Sequence, residues 1–394
     1  MNLNLTKIRN IWYRLKASFL FLPALMAAGA MLLALVTVTI DRLWIDMEGV
    51  WPWLIYSGGP EGAGQVLGVI AGSMMTVAGV VFSITIVVLS LASSQFGPRL
   101  IKNFMEVKSN QMVLGTFVAT FIYSILVLHS VNGEEGEYFV PHLSVTVDVV
   151  LSVVSLGVLI YFIHTISQSI RAENIIARVR QDLARAIDRV FPDEAGPEGS
   201  PSDHREPEDY VIPTTCSRDA CQIKAANSGY LQAVDREALL TIAVQEDMLV
   251  HLGYRPGEFI TGGSALVTVW PGHKVDASLT RRLNDIFIVG AERTLEQDAE
   301  FAISQLAEIA VRALSPGIND PITANTCIDW LGVTLSQLAK RKMRASHLFD
   351  KGNRLRVIRK TFKFEGMLDA AFNMIRQNSR TVEAVSIHLL ETLA

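Results

Sequence analysis

A row of small and hydroxyl-bearing residues runs along the second long apolar stretch of the chain. Its members recur at steps of mostly three, four and seven, which collects them on one side of a helix. The row consists of Gly72, Ser73, Thr76, Gly79, Ser83, Ser90 and Ser94. Because small residues let helix backbones approach closely in lipid, the row by itself favours a helix–helix seam. Hydroxyl groups can also replace part of an ion's water shell, so a pore lining is the second hypothesis. The two are compatible if several copies surround a central axis.

Four of the ionisable residues inside or next to the apolar stretches are candidate functional groups. Asp148 and His164 fall within the fourth stretch, where a charged group is costly and a proton or ion role is the default hypothesis. Both are within a turn or two of an interface, so anchoring at the headgroups is the alternative. Arg99 and Lys102 follow the second stretch and are predicted to lie at its cytoplasmic mouth, either as functional groups or as positive-inside anchors.

The segment 340–363 contains ten basic residues and one acidic residue. We predict that its cationic side chains bind anionic lipid headgroups, which attract such clusters at the inner leaflet. An anion-collecting vestibule and a solvated surface are the alternatives. The predicted binding residues are Lys340, Arg341, Lys342, Arg344, Arg354, Arg356, Arg359 and Lys360.

A loop and cap motif lies at residues 312–321. Pro316-Gly317 is expected to end one helix, and Asp320 to cap the next, with Pro321 at its first position. Capping is the favoured role of this motif, and the alternative uses the amides beyond Asp320 to hold an anion or a partner's carboxylate. The residues singled out are Arg312, Ser315, Asn319 and Asp320.

The distribution of charge indicates which elements carry these groups. Residues 1–170 hold 17 of the 74 charged residues, about 10% of that half, whereas residues 171–394 hold 57, about 25%. With a mean hydropathy of +0.31, this predicts a membrane α-helical domain (1–170) followed by a water-exposed domain. Four transmembrane helices are predicted near 17–40, 66–93, 112–130 and 143–170.

Basic and acidic loops alternate along the membrane half. Lys and Arg are concentrated before the first span and between the second and third, while the loop around Glu134, Glu135 and Glu137 has none. The positive-inside rule therefore places both termini, and the large C-terminal half, in the cytoplasm.

The C-terminal half is predicted to be an α+β domain. Its expected parts are a helical extension (171–191), a linker (192–213), a small β-barrel (214–275) and a helical subdomain (276–394). The helices of the last part are placed near 279–291, 295–313, 321–342 and 366–392. The barrel segment resembles biotinyl and lipoyl domains. However, no lysine occurs between Lys224 and Lys274 to serve as a swinging arm, so a structural role is expected.

The sequence gives no reason to expect an enzyme, a cofactor or a metal. It lacks His-Glu-x-x-His, Gly-x-x-x-x-Gly-Lys-Ser/Thr and Gly-x-Ser-x-Gly. Cys216 and Cys221 lie five positions apart and are interpreted as free thiols rather than as half of a metal site. The net charge of −4 gives no reason to expect nucleic acid as a partner.

Three strings carry a resemblance to a known family. They are Val-Val-Phe-Ser-Ile-Thr (80–85), Ala-Ser-Ser-Gln-Phe-Gly-Pro-Arg-Leu (92–100) and Arg-Ala-Leu-Ser-Pro-Gly-Ile-Asn-Asp-Pro (312–321). The chain resembles an uncharacterised bacterial family of predicted multi-pass membrane proteins, a domain of unknown function. The resemblance implies a bacterial cytoplasmic-membrane protein of this layout and no assigned activity.

Two functions remain open on these residues. The first is a homo-oligomeric, channel-like or transport protein whose second span lines a central path. The second is a non-conducting scaffold or sensor whose cytoplasmic domain binds a partner or anionic lipid.

Overall fold

The computed structural model describes residues 21–43, 56–97, 108–131, 139–169, 171–191, 219–341, 343 and 345–394. Contacts divide the chain into two compact units, Met1–Arg171 and Ala172–Ala394. The predicted linker, 192–213, lies outside the described residues.

The first unit contains four long apolar helices. They are α1 (Phe21–Leu43), α2 (Pro60–Phe96), α3 (Lys108–Ser130) and α4 (His142–Ser169). Each is long and apolar enough to cross a membrane, so the prediction of four spans is confirmed. Residues 17–20 of the first predicted span and residue 170 of the fourth lie outside the described residues.

Helix α3 lies at the centre of this unit and contacts each of the other three helices. Gly115 permits a close approach to α1, because a Cβ atom at this position would lie 2.6 Å from Sδ of Met26 and 3.2 Å from Cα of Pro23. Small residues serve this purpose at helix interfaces in lipid. Tyr123, also on α3, is fully buried in a core with residues of α1, α2 and α4.

Helix α2 is longer than predicted. It begins at Pro60, six residues before the predicted start, and ends at Phe96, where Gly97 adopts a φ of 107° that is open mainly to glycine. Its 37 residues correspond to about 55 Å at 1.5 Å per residue. Because a hydrocarbon core is only about 30 Å thick, α2 either tilts or continues past that core.

The second unit has α+β structure, as predicted. Its elements, in chain order, are α5 (Ala172–Val190), β1 (Cys221–Lys224), β2 (Gly229–Val234), α6 (Arg236–Gln245), β3 (Leu249–Leu252), β4 (Phe259–Ile260), β5 (Ala265–Trp270), α7 (Ala277–Asp285), β6 (Phe287–Gly290), α8 (Ala299–Ala313), α9 (Pro321–Ala339), β7 (His347–Phe349), β8 (Leu355–Ile358), α10 (Phe364–Asn378) and α11 (Glu383–Leu393). Aspartate side chains cap α6, α7, α8 and α9, as expected for the first turn of a helix.

The described strands form two open sheets. One has the order β1-β5-β3-β8-β7, with β3 and β8 parallel and the other neighbours antiparallel. The other has the order β4-β2-β6 and is antiparallel. The small β-barrel predicted for 214–275 is therefore not confirmed, because each sheet recruits strands from the segment assigned to the helical subdomain.

Two of the predicted helices differ in the structure. The segment 279–291 ends as a helix at Asp285, and Phe287–Gly290 instead pairs with β2. Its apolar run fits either state, and only the partner strand decides between them. The segment 366–392 forms two helices, α10 and α11, separated at Ser379–Val382.

Candidate functional site

The row of small and hydroxyl-bearing residues on α2 faces away from the other helices of the unit. All seven predicted members, from Gly72 to Ser94, are exposed. Six of them, together with Glu61, Gln65 and Gly68, fall within about 80° of arc at 100° per residue. We call this set the polar face of α2: Glu61, Gln65, Gly68, Gly72, Thr76, Gly79, Ser83, Ser90 and Ser94. Ser73 lies on its flank.

The opposite side of α2 makes the contacts that hold the unit together. Its buried residues are Ala63, Leu67, Ala71, Ala78, Val81, Ala92 and Phe96. They occupy a second arc whose centre is about 140° from the centre of the polar face. The polar face is therefore not the seam between α2 and its neighbours within one chain.

The glycines of the polar face support the same conclusion. A Cβ atom at Gly68, Gly72 or Gly79 would have no atom within 4 Å, in contrast to Gly115 on α3. No described residue of the same chain packs close enough to these positions to require a glycine. They leave a shallow surface that a second chain or a solvent path can occupy.

The hydroxyl groups of this face bond to their own helix. Thr76 donates to the Gly72 carbonyl at 2.8 Å, Ser83 to the Gly79 carbonyl at 2.9 Å, and Ser94 to the Leu91 carbonyl at 2.9 Å. Each hydroxyl oxygen keeps lone pairs that can accept from water or coordinate a cation. The face is thus compatible with lipid and with water.

Sequence reasoning missed Glu61, Gln65 and Gly68 as members of this face. Glu61 and Gln65 precede the predicted start of the span because a hydropathy window excludes polar residues, whereas Gly68 lies within the span and was not assigned to the row. Their spacing from Gly72, at steps of four, three and four, was the available signal. Pro60, a preferred first residue of helices, marked the start of α2.

A second polar feature, the buried polar cluster, lies between α1, α3 and α4. It consists of Thr37, Asp41, Thr120, Tyr123, Ser124, Ser144, Asp148 and Ser155, all buried except the half-buried Asp41. The Tyr123 hydroxyl lies 2.9 Å from Oγ1 of Thr37 and donates to the Ser144 carbonyl at 3.1 Å. Thr120 and Ser155 pair at 3.0 Å. These bonds join three helices through buried side chains, in the way that hydroxyl groups link helices across lipid.

Asp148 is the ionisable member of the buried polar cluster. It is fully buried, and its Oδ1 accepts a 2.8 Å hydrogen bond from Ser124. Its Oδ2 is buried without a hydrogen-bond partner among the described residues. An ionised carboxylate with a single neutral donor is costly in an apolar bundle. The proton or ion role predicted for Asp148 stays a prediction.

Asp41 has a structural role in the cluster. Its two carboxylate oxygens accept from the backbone amides of Leu143 and Ser144, each at 2.9 Å, and from the Ser144 hydroxyl at 2.6 Å. These amides belong to the first turn of α4, where a carboxylate also stabilises the helix dipole. Asp41 therefore attaches the end of α1 to the start of α4.

The other predicted membrane-site residues are not brought into the cluster. His164 is exposed on α4. Arg99 and Lys102 lie outside the described residues, so their predicted place at the cytoplasmic mouth stays a prediction.

The basic residues of 340–360 are largely paired with acidic groups of their own unit. Arg341 contacts the Asp188 carboxylate at 2.6 Å and the Phe191 carbonyl at 2.7 Å. Arg356 is 7% exposed and contacts Asp350 at 2.9 Å and Asp247 at 2.7 Å. The acidic partners come from distant parts of the sequence, so the charge excess of the segment is partly neutralised by folding.

The two carboxyl groups beside Arg356 have perturbed acidity. The Arg354 backbone amide and the Arg356 guanidinium hold the pKa of Asp350 below its ordinary value. The hydrogen bond and the charge of Arg356 lower the pKa of Asp247. The Arg356 cluster, which comprises Arg356, Asp350 and Asp247, is therefore ionised at neutral pH and stabilises the junction of β3 and β8.

The remaining basic residues have mixed surroundings. Arg354 is 70% exposed and lies 3.4 Å from Asp350. Arg359 donates two hydrogen bonds to the Ala345 carbonyl, and Lys360 lies 3.5 Å from Glu258. Lys340 is exposed, and Lys342 and Arg344 lie outside the described residues.

The motif at 312–321 forms the corner between α8 and α9. Asp320 caps α9 by accepting from the Thr323 amide at 3.1 Å, and its own amide donates to the Ala313 carbonyl at 2.8 Å. Asn319 adopts a φ of 50°, and the Ser315 hydroxyl donates to the Arg312 carbonyl at 2.6 Å. These bonds account for the motif through helix capping.

Metal and thiol chemistry have little support in the parts of the chain that the structure describes. They contain no group of three or more His, Cys, Asp or Glu placed to hold a metal ion. Cys221 is half-buried and Cys327 is buried, and both are free thiols, while Cys216 lies outside these parts.

Comparison with known proteins agrees with the helical content of the first unit. The family described as "Predicted membrane protein (DUF2254)" matches residues 16–394. The chain belongs to this family of predicted membrane proteins. The resemblance inferred from the three sequence strings is thereby confirmed, and the four long apolar helices are consistent with a multi-pass membrane protein.

Two mycobacterial proteins are similar to the DUF2254 chain. They are the uncharacterized proteins Mb1321c of Mycobacterium bovis and Rv1290c of Mycobacterium tuberculosis, each 36% identical over 296 residues. The alignment covers 74% of this chain and 55% of each relative, so the chain spans about half the length of these curated relatives. No solved structure matches.

Proposed function

We propose that this protein is an oligomeric, channel-like or transport protein of the bacterial cytoplasmic membrane. Several copies surround an axis, and each turns the polar face of α2 toward a central path. Both termini and the α+β unit lie in the cytoplasm, as the alternation of basic and acidic loops indicates. The protein acts without an enzymatic step.

The observation that carries this proposal is the orientation of the polar face. A helix that exposes Gly, Ser, Thr, Gln and Glu on the side opposite its packed face gains little from facing lipid alone. A second chain covers the glycine positions by close packing, and a wet path solvates the hydroxyls and Glu61. An oligomer around an axis provides both environments at once.

Asp148 adds a second functional element to this proposal. It lies six residues into α4, or roughly 9 Å along the helix, with one oxygen that lacks a partner. Intramembrane carboxyl groups of this kind carry protons in many transport proteins. We propose that Asp148 exchanges a proton during transport.

The second candidate is a non-conducting scaffold or sensor. Its support is that the hydroxyls of Thr76, Ser83 and Ser94 are satisfied within their own helix, so the face can pack without water. In this case the polar face is an intermolecular seam, and the α+β unit binds a partner or anionic headgroups through the basic residues of 340–360.

Ser83→Leu separates the two candidates. In a pore, the leucine places an apolar group in the wet path and promotes dewetting, so ion flux falls sharply while the oligomer persists. In a close-packed seam, the same side chain cannot fit between backbones, so the oligomer loosens. Reconstituted protein is assayed for ion flux in liposomes and for mass in nanodiscs.

Ile84→Leu is the matched control, because Ile84 is exposed on the same turn but points about 100° away from Ser83. Unchanged flux with an intact oligomer in Ser83→Leu would remove the pore proposal. If the unmodified protein stays monomeric at high protein concentration, both the pore and the intermolecular seam are ruled out.

A further inference from the structure

The α+β unit contains a cavity of about 400 Å³ that the membrane site does not use. Residues of α5, α6, both sheets and the segment after β8 line it, and Leu239, Leu252, Leu348, Val357 and Phe362 contribute to its apolar wall. A volume in this range is typical of sites for small organic molecules.

The charged residues at this cavity are mainly basic. Among the described residues of the lining, four are basic and one, Glu296, is acidic; the basic ones are Arg189, Arg236, Arg359 and Lys360. Glu296 pairs with Arg189 at 2.6 Å, and Lys360 lies 3.5 Å from Glu258, which is not part of the lining. The cavity therefore combines an apolar interior with a net positive edge, which attracts anions.

Among the basic residues that line the cavity, Arg236 has the fewest contacts with the rest of the fold that would stabilise its charge. It has no hydrogen bond or ion pair with any residue that the structure describes, and its Nε is buried without a partner. It is also the first residue of α6, where the helix dipole disfavours a positive charge. A half-buried guanidinium in this position costs free energy that a bound anion would recover.

We propose that this cavity binds an amphipathic anion. A carboxylate or phosphate group contacts Arg236, with Arg359 and Lys360 nearby, and an apolar chain fills the wall formed by residues such as Leu239 and Phe362. The same chemistry is available from a free fatty acid or alkyl phosphate and from a membrane phospholipid. Occupancy would couple the cytoplasmic unit to the supply of such molecules.

The first experiment measures binding of decanoate and decyl phosphate to the full-length protein in phosphatidylcholine nanodiscs, by isothermal titration calorimetry. Decanol tests the apolar chain alone, and acetate and inorganic phosphate test the head group alone. We expect the two amphipathic anions to bind at least tenfold more tightly than any of these three. Equal binding of decanol would overturn the role of Arg236, and equal binding of inorganic phosphate would overturn the role of the apolar wall.

Two variants locate the site. Arg236→Gln is expected to weaken decanoate binding at least tenfold, as loss of a charged hydrogen bond does. Arg281→Gln is the matched control, because Arg281 likewise has no hydrogen bond or ion pair with a described residue, but it is exposed and lies outside the cavity. Equal effects of the two variants would contradict the assignment.

A third variant tests the cavity without removing charge. Ile288 is 56% exposed where it borders the cavity, so Ile288→Trp adds bulk there without disturbing a buried side chain. We expect it to reduce decanoate binding while the melting temperature stays unchanged. Full binding by a folded Ile288→Trp protein would overturn the proposal.

Native mass spectrometry distinguishes the two sources of ligand. Protein transferred from anionic phospholipid vesicles is expected to retain one phospholipid per chain if the source is the membrane, and one fatty acid or alkyl phosphate per chain if the source is a free molecule. Arg236→Gln should lose either adduct. Retention of the adduct by this variant, or the absence of both adducts from the unmodified protein, would contradict the site.

Discussion

The hydroxyl of Ser124, on α3, donates a 2.8 Å hydrogen bond to Oδ1 of Asp148, on α4. This is the only hydrogen bond from a side chain to the Asp148 carboxylate among the described residues, since Oδ2 has none. In an apolar bundle, that single donor makes a large contribution to the stability of the buried carboxyl group. The pair therefore links the packing of the membrane unit to any proton that Asp148 carries.

Removing the Ser124 hydroxyl should destabilise the membrane unit. Ser124→Ala leaves both Asp148 oxygens without a donor, and we expect a loss of about 1–3 kcal/mol in the free energy of unfolding. Asp148→Asn keeps an acceptor for Ser124, so we expect a smaller effect on stability. Unfolding by a denaturing detergent measures both. Ser152→Ala is the control, because Ser152 bonds to the Val149 carbonyl of its own helix; an equal loss in Ser152→Ala and Ser124→Ala would contradict the prediction.

Gly115 and Gly79 should respond differently to the same substitution. Gly115→Leu introduces a side chain against Met26 and the backbone of Pro23, so the isolated chain should unfold more easily. At Gly79, in contrast, an added Cβ atom meets no atom within 4 Å among the described residues of one chain, so Gly79→Leu directs its side chain to the outside of the unit. It should leave the stability of a dilute monomer unchanged and weaken association between copies. Detergent unfolding and mass photometry measure the two effects, and a destabilised Gly79→Leu monomer would be inconsistent with an outward polar face.

The membrane helices were predictable because each is specified by its own sequence. Long apolar runs fix the number of spans, and Pro60 and Gly97 fix the ends of α2. The partners of Asp148 were not predictable, since Ser124 is 24 residues away and no local pattern indicates which helices pack together. The sequence alone also did not show which way the polar face of α2 points; that became clear only when the structure showed which side of α2 packs against the other helices.

The α+β unit shows the same limit. The β content of 214–275 was predicted from the sequence, although not as two open sheets, and the capping role of Asp320 was predicted from helix punctuation. The strand β8, in contrast, lies inside a basic segment, and its pairing with β3 joins residues more than 100 positions apart, such as Val250 and Val357. The pairing of Arg356 with Asp247 depends on this contact, so a charge count alone overstated the free positive charge.

The Arg356 cluster should make the stability of the α+β unit depend on acid pH. Because the pKa values of Asp350 and Asp247 are lower in the folded chain than in the unfolded chain, their contribution is complete above the unfolded value, near 3.9. It is lost as the pH falls through the lower folded values. Arg356→Gln should reduce the melting temperature at pH 7 by several degrees and flatten the decline below pH 4.

Scanning fluorimetry of the full-length protein between pH 7 and pH 3 tests this dependence. Arg354→Gln serves as the comparison, because Arg354 is near the same carboxylates but is 70% exposed. Its effect should be much smaller, since exposed ion pairs contribute little. A larger fall in melting temperature for Arg354→Gln than for Arg356→Gln would contradict the assignment of the stabilising charge to Arg356.

The orientation of the chain can be tested with reporter fusions. The absence of Lys and Arg from the loop around Glu134–Glu137 predicts that this loop lies outside the cytoplasm and the C-terminus inside it. Alkaline phosphatase, which is active only outside the cytoplasm, should be active when fused after Gly136 and inactive when fused after Ala394. Fluorescent protein fusions should give the reverse pattern. A cytoplasmic signal after Gly136 would invalidate the topology.

Cys327 should resist alkylation in the folded protein. It is fully buried on α9, and burial, together with the nearby negative charge of Asp320, raises the pKa of its thiol to about 12. Because the thiolate is the reactive form, a pKa of this size leaves roughly one thiol in ten thousand ionised at pH 8. Iodoacetamide should therefore modify the half-buried Cys221 and spare Cys327, as mass spectrometry of Cys216→Ser protein can measure. Unfolding in urea should make both thiols reactive. Equal modification of Cys221 and Cys327 in the folded chain would show that α9 opens to solvent on the time scale of the reaction.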